Sequence, residues 1–254
     1  KGHVTVATSL SQADVIYNQL GEYIDVVVEP ERRDTFPAIA LAASYLKYEK
    51  SCADEEVVVV MPCDPFTEAG YFKVIEQMVH AVDDNVAELV LMGITPTYPS
   101  AKYGYVVPDE SKLKGGIFSV KRFTEKPNVA TAEYLIKENA FWNGGVFAFK
   151  LGYMMNIVEQ YIRAVSFSEI RNRYSEFPKI SFDYEKAKLV AVVPFSGKWK
   201  DLGTWNTLTD ELEDHVIGNV ITDGEAENTH IINELDLPIM CIGTKDLVIA
   251  ASND

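Results

Sequence analysis

The sequence predicts an α/β protein: a Rossmann-like, mostly parallel sheet with an antiparallel insertion, followed by the start of a small β-rich C-terminal domain. Three observations carry that expectation. Through the first hundred residues or so, apolar β-branched runs alternate with segments of helical periodicity. Runs such as 57–61 and 88–94 do not alternate polar with apolar residues, the mark of strands covered on both faces. After about His215 the helical periodicity stops, and short strand-like runs separated by turn pairs such as Asp223-Gly224 and Leu237-Pro238 take over. The domain boundary therefore falls after Asp214, with residues 1–214 forming the α/β domain and 215–254 the start of the β-rich one.

Val4-Thr5-Val6-Ala7 reads as a strand, residues 12–20 as a helix and residues 24–28 as a second strand. The next helix, 37–50, has matching local chemistry: Asp34 or Thr35 can cap it, Pro37 suits its first turn, and Ile39, Ala42, Ala43 and Leu46 share a face. Residues 57–61 form the third strand. The helix 72–82 carries Val74, Ile75, Met78, Val79 and Val82 at core spacing, and the strand 88–94 follows it. Strand and helix in this order imply right-handed crossovers. Segments 103–107 and 117–124 read as half-exposed strands around a Gly115-Gly116 turn, which is the antiparallel insertion. Helical patterns at 130–137 and 153–161 flank a strand at 146–149, and 189–194 returns as a strand.

Bulk composition narrows the partners. A net charge of −15, from 38 acidic and 23 basic side chains, repels polyanionic backbones and disfavours nucleic acid and anionic membrane. A small phosphorylated ligand stays compatible, because a few cations and a metal ion can reverse the field inside a pocket. Cys52, Cys63 and Cys241 form no CxxC pair and read as free thiols of a reducing cytoplasm. The histidines lack metal-ligand spacing, and no signal peptide or membrane span is visible.

Ligands of an open α/β sheet bind beyond the carboxyl ends of its strands, so the residues after each strand are the candidates. Asp64 stands between Pro62 and Pro65 after the third strand. As a helix cap it competes with Thr67, and the prolines aim its carboxylate toward the ligand edge. Asp201 is a second such carboxylate, with Gly203 close by. Two converging carboxylates suit Mg²⁺ when phosphate oxygens supply other ligands, although spacing alone leaves the helix-cap reading ahead. Residues 29–35 bring two arginines to a helix N-terminus whose N–H groups suit an anion or a purine edge; a charged, capped loop is the bland alternative. Glu125-Lys126-Pro127 and Trp142-Asn143-Gly144-Gly145 supply a carboxylate, an amide, a lysine and permissive glycines, which outline a phosphosugar pocket.

Several segments occur in an order that resembles the bacterial mannose-1-phosphate guanylyltransferases, within the larger sugar nucleotidyltransferase group. They are EPERRDTFPAIALAASYL, MPCDPF, the YGY at Tyr103, FTEKP around Glu125, WNGGVFAFK, SFDY at Ser181 and WKDLGTWNTL. The resemblance covers nearly the whole chain. It implies that Asp64 and Asp201 hold Mg²⁺. It implies that Gly104, Glu125, Lys126, Asn143 and Gly145 bind the sugar and its phosphate, with Lys126 neutralising charge. Glu29, Pro30, Arg33, Asp34, Thr35 and Ala38 would contact the nucleotide. The implied reaction is in-line attack by mannose 1-phosphate on the α-phosphorus of GTP, giving GDP-mannose and pyrophosphate with no covalent enzyme intermediate. A cytoplasmic enzyme follows, with a homodimer as a compatible assembly.

The sequence departs from the pattern in three places. The family opens with a strand and a Gly-rich loop resembling GGxGTRLWP, with a lysine further on, whereas Lys1 corresponds to the family's second strand. SFDY runs directly into Glu185-Lys186, where the family has a few more residues. The chain also stops inside the β-rich region, so the expectation is that segments of a longer protein are absent from this sequence. A phosphomannose isomerase domain fused downstream also occurs in this family. Two alternatives stay open: a uridylyl-, thymidylyl- or cytidylyltransferase acting on another sugar 1-phosphate, and a non-catalytic nucleotide-sugar sensor or regulatory subunit.

Overall fold

A computed structural model describes residues 2–112, 114–182 and 189–252. Lys1, Asp183 and Tyr184 of the SFDY segment, and Glu185-Lys186, lie outside the described residues. Packing divides the chain into two compact units, one made of residues 1–62 and 68–197, the other of 63–67 and 198–254. The boundary expected after Asp214 thus lies inside the second unit, because a short strand at 65–67 pairs with one at 199–201.

The first unit opens with β1 (Thr5–Ser9), α1 (Leu10–Leu20) and β2 (Asp25–Glu29), a parallel β-α-β in which Thr5 faces Asp25. Next come α2 (Thr35–Tyr48) and β3 (Val57–Val60). The chain enters the second unit for β4 (Pro65–Thr67) and returns for α3 (Gly70–Asp83), β5 (Leu89–Ile94), β6 (Tyr105–Lys112) and β7 (Phe118–Thr124). It continues with α4 (Val129–Lys137), β8 (Phe141–Lys150), α5 (Leu151–Tyr161), α6 (Phe167–Asn172) and β9 (Val190–Phe195). Six strands form one sheet in the order β3-β8-β5-β9-β7-β6. The α/β class is as expected, and the sheet is mixed: β3, β5, β6 and β9 run one way, β7 and β8 the other. Every residue of β5 is buried, as its unbroken apolar run requires.

Four local expectations need correcting. β3 is only half-buried, since among the described residues it pairs with β8 alone and stands at the sheet edge. The 103–107 strand is not half-exposed: Tyr105, Val106 and Val107 are buried, because the β6-β7 pair extends the main sheet rather than standing apart from it. Trp142 to Gly145 lie inside β8 rather than before it. Thr67 caps no helix; it belongs to β4, its hydroxyl donates to the Lys198 carbonyl, and the residue before α3 is Ala69.

The core of this unit is built where α2 and α5 cover the sheet. Phe36, Phe177 and Phe182 are fully buried, with the Phe177 ring edge-on to Phe36 at 5.8 Å and the Phe182 ring edge-on to Phe147 at 4.9 Å. Burying such a side chain contributes about 1.5–3 kcal/mol. These rings therefore weld the segment ending at Phe182 to the start of α2.

The second unit adds β10 (Trp199–Asp201), α7 (Trp205–Thr209), β11 (Val216–Ile217), β12 (Val220–Thr222), β13 (His230–Asn233), β14 (Ile239–Cys241) and β15 (Val248–Ala251) to β4. β11, β13 and β15 stack in parallel, and so do β12 and β14, with a further parallel bridge between Glu227 and Lys245. Successive parallel rungs on separate faces are the signature of a coiling β-solenoid. The expected short strands are therefore its rungs. Among the described residues, no helix is long and apolar enough to cross a membrane.

Candidate active site

Strand register assembles the first group of residues. Tyr105 on β6 pairs with Thr124 of β7 and with Trp142 of β8, both antiparallel. One step back along β6 and one step on along its neighbours, Gly104 therefore meets Glu125 and Asn143. A Cβ placed on Gly104 would stand 2.6 Å from Glu125 Oε2 and 3.6 Å from Asn143 Cβ. The Asn143 N–H donates to the Gly104 carbonyl at 2.8 Å. The Asn143 side-chain oxygen accepts from the Gly145 N–H at 3.1 Å, which leaves its NH₂ as the outward donor. Lys126, mostly exposed, carries its ammonium 3.5 Å from Glu125 Oε1. Gly104, Glu125, Lys126, Asn143 and Gly145 are thus brought together as the sequence suggested.

Beneath this cluster lies a buried hydrogen-bond network. The Trp142 indole donates to the Tyr105 hydroxyl at 3.0 Å; that hydroxyl donates to the Ser100 carbonyl and accepts from the Ser100 N–H, both at 3.0 Å. Tyr98 and Tyr103 pack their rings on Trp142, each at 5.0 Å between centroids. Tyr103, Tyr105 and Trp142 stand in motifs of the sequence, yet no local motif marks a hydroxyl that bonds across strands.

The second group lies in the second unit. β4 and β10 pair antiparallel, with Asp201 opposite Pro65, and the Leu202 N–H donates to the Asp64 carbonyl at 3.1 Å. Gly203 then folds back so that its N–H donates to Asp201 Oδ1 at 2.7 Å. A Cβ on Gly203 would stand 2.8 Å from that oxygen and 3.4 Å from Asp64 Oδ2. Two carboxylates thus face one point beside a residue with no side chain. That arrangement fits a hard divalent cation whose other ligands are phosphate oxygens. Among the described residues no third His, Cys, Asp or Glu joins this pair.

The third group follows β2. A cavity of about 580 Å³ is lined by residues 32–35 together with Glu29, Ala38 and Lys179. Pro30 is exposed and lies outside the lining. Asp34 holds φ 92° and ψ 176°, a region nearly reserved for glycine, while its carboxylate accepts from the Thr35 N–H at 2.7 Å. Such strain costs about 1–3 kcal/mol and clusters at ligand clamps. Asp34→Gly is therefore expected to raise stability by about 1 kcal/mol, because relief of this strain outweighs the slightly poorer cap and the greater unfolded-state entropy that glycine brings. Thermal unfolding should shift upward by roughly 2–4 °C.

The N–H groups of α2 are less available than the sequence suggested. The Thr35 N–H bonds Asp34, the Phe36 N–H donates to the Ile180 carbonyl at 3.2 Å, and Pro37 has none. Arg33 is engaged as well: its guanidinium donates to Glu31 at 2.7 Å and to the Phe177 carbonyl at 2.9 and 3.2 Å. Thr35 Oγ1 accepts from the Phe182 N–H at 3.1 Å, which leaves its hydroxyl hydrogen for a ligand. Glu29 accepts from the Tyr174 hydroxyl at 2.7 Å. Burial, and then the Glu29 carboxylate, hold the Tyr174 phenol far above the ordinary tyrosine range, so it stays a donor. The segment 174–182 is thus a brace for the loop, and its Tyr174 and Lys179 are residues that the sequence did not single out as site residues.

The Nucleotidyl transferase family matches residues 8–216 of the chain. The putative mannose-1-phosphate guanylyltransferase of Vibrio cholerae is 30% identical over 261 aligned residues, which cover 92% of this chain and 54% of that protein. The mannose-1-phosphate guanylyltransferase of Escherichia coli K12 is 30% identical over 268, covering 93% of this chain and 54% of that one. The chain thus spans about half the length of these curated relatives. Among solved structures, the mannose-1-phosphate geranyltransferase of Thermus thermophilus superposes with a TM-score of 0.73 at 26% identity, over 98% of this chain and 77% of that one.

Proposed function

We propose, from the premise that the chain belongs to the nucleotidyl transferase family, that it forms GDP-mannose and pyrophosphate from GTP and α-D-mannose 1-phosphate with Mg²⁺. The names of the relatives support the substrates. The observation that carries the reaction type is the pair of carboxylates, Asp64 and Asp201, facing one point beside Gly203. Transfer of a nucleotidyl group needs little covalent chemistry from protein; it needs positioned reactants and neutralised phosphate charge.

Each group of residues has a separate task in this reading. Glu125 accepts hydrogen bonds from sugar hydroxyls, and the Asn143 NH₂ donates to a sugar oxygen. Lys126 places a cation near the phosphate, whose attacking oxygen forms the new bond to the α-phosphorus as the bond to the β-phosphate oxygen breaks. Asp64 and Asp201 would hold Mg²⁺, which supplies charge neutralisation at the phosphates. The loop after β2 holds the nucleotide: the Thr35 hydroxyl is a donor and the Asp34 carboxylate an acceptor, as the guanine edge requires. A site of this kind rejects the wrong base because its own polar groups are then left unpaired.

The test is pyrophosphate release across four nucleoside triphosphates and three sugar phosphates with Mg²⁺. The expected result is a clear preference for GTP with mannose 1-phosphate. A preference for UTP or dTTP would move the protein to another substrate branch of the same chemistry. Release with no pair would favour a non-catalytic nucleotide-sugar-binding role.

A further inference from the structure

We infer that Tyr174 sets the base preference of the cavity after β2, as the positioning residue that presents the Glu29 carboxylate to the guanine edge. The inference rests on the reading of this cavity as the nucleotide site. Glu29 ends β2 and is on the cavity lining, whereas Tyr174 is buried and does not line it. The Tyr174 hydroxyl donates to Glu29 Oε2 at 2.7 Å. Among the described residues no other protein donor reaches this carboxylate, so Oε1 and the second lone pair of Oε2 are left for a ligand. Guanine offers N1–H and both hydrogens of its N2 amino group along one edge. Asp34, the acceptor already assigned in this loop, has one oxygen occupied by the Thr35 N–H, and Glu29 supplies a second carboxylate. Adenine would turn the lone pair of its N1 toward that charge.

Tyr174 is built as a fixed strut. It is 1% exposed, and its ring stands edge-on to Phe177 at 6.0 Å. The Phe177 N–H closes a turn on the Tyr174 carbonyl at 3.2 Å, and the Phe177 carbonyl accepts from Arg33 of the loop itself. Just before the tyrosine, the Arg173 guanidinium donates to both carboxylate oxygens of Glu176 at 2.8 Å and to the Arg163 carbonyl at 3.1 Å. The phenol therefore has little freedom to follow the carboxylate, and the carboxylate takes its place from the phenol. Burial and the Glu29 charge keep the hydroxyl protonated, so the contact keeps its direction. A glutamate without this donor regains its rotamers. Fixing such a side chain before the ligand arrives is worth up to about tenfold in affinity.

The experiment measures binding of GTP and of ITP, which lacks the N2 amino group, by calorimetry with Mg²⁺. It compares the wild type with Tyr174→Phe, Glu29→Gln and the double variant. The wild type is expected to prefer GTP about tenfold. Tyr174→Phe should weaken GTP about tenfold and ITP about twofold, which shrinks that preference to about twofold. In the Glu29→Gln background the same tyrosine change should alter GTP binding by less than about twofold, because the group it positions is gone. A merely structural tyrosine would lower the thermal midpoint and leave the ratio of GTP to ITP at its wild-type value. That unchanged ratio, additive effects in the double variant, or a wild type indifferent to the two nucleotides would overturn this inference and leave the nucleotide reading standing. Absence of GTP binding by the wild type would overturn both.

Discussion

Asp64→Asn and Asp201→Asn are each expected to lower turnover by at least 10²–10³-fold, the scale on which losing one aligned electrostatic contact slows reactions of this kind. The argument is geometric. Both carboxylates face the side of Gly203 that lacks a side chain, and an asparagine keeps the shape of each but removes one negative charge. In Asp201→Asn the amide oxygen can still accept the Gly203 N–H, so the turn itself survives. Asp64 is exposed, and its backbone carbonyl, not its side chain, makes the bond to Leu202. The fold should therefore be nearly unchanged, with thermal midpoints within about 2 °C of wild type. Binding of Mn²⁺, followed by its electron paramagnetic resonance, should weaken in parallel with pyrophosphate release. Turnover within tenfold of wild type in both variants would show that the pair does not carry the reaction.

Much of this site was legible because its residues follow strands, and strand ends can be read from apolar runs. Asp64 after β3 and Asp201 at the end of β10 were recognisable as candidates in that way, and their meeting at Gly203 depends only on two short strands pairing. Glu125 and Asn143 were visible as members of small polar clusters, but the reason they meet is register. The sequence contains no signal that Tyr105 pairs with both Thr124 and Trp142. Register depends on which faces of distant strands are buried, and that depends on the whole sheet. The same limit explains the half-exposed reading of the 103–107 segment, whose burial follows from its place in a six-stranded sheet. Arg33 shows the limit most sharply. An arginine after a strand reads as an anion contact, whereas its actual acceptors are Glu31 nearby and the Phe177 carbonyl far along the chain. Long-range backbone acceptors leave no composition or spacing to detect.

Gly104→Ala is expected to lower kcat/KM for mannose 1-phosphate by about 10²-fold while GTP affinity stays within about twofold, since a displacement of about 1 Å in a positioning group can have that effect. The added Cβ would stand 2.6 Å from Glu125 Oε2, closer than Cβ atoms tolerate, so the Glu125 carboxylate must move. Its movement takes Oε1 away from Lys126, which now lies 3.5 Å away, and so disturbs both of the side chains proposed to hold the sugar phosphate. Asn143 is affected less, because its nearest atom to the new methyl is Cβ at 3.6 Å, an ordinary contact. The backbone bond from Asn143 to Gly104 needs no side chain and should persist. Glu125→Gln makes the complementary change: the carboxamide keeps the volume but replaces one acceptor oxygen by a donor, which should weaken sugar use by roughly 1–3 kcal/mol without moving the strands. Steady-state kinetics with each substrate varied in turn separates the outcomes. If the cluster holds the sugar phosphate, both variants lose in its kcat/KM and keep the KM for GTP. If both substrates suffer equally, the cluster is a structural corner of the sheet, and the sugar must be bound elsewhere.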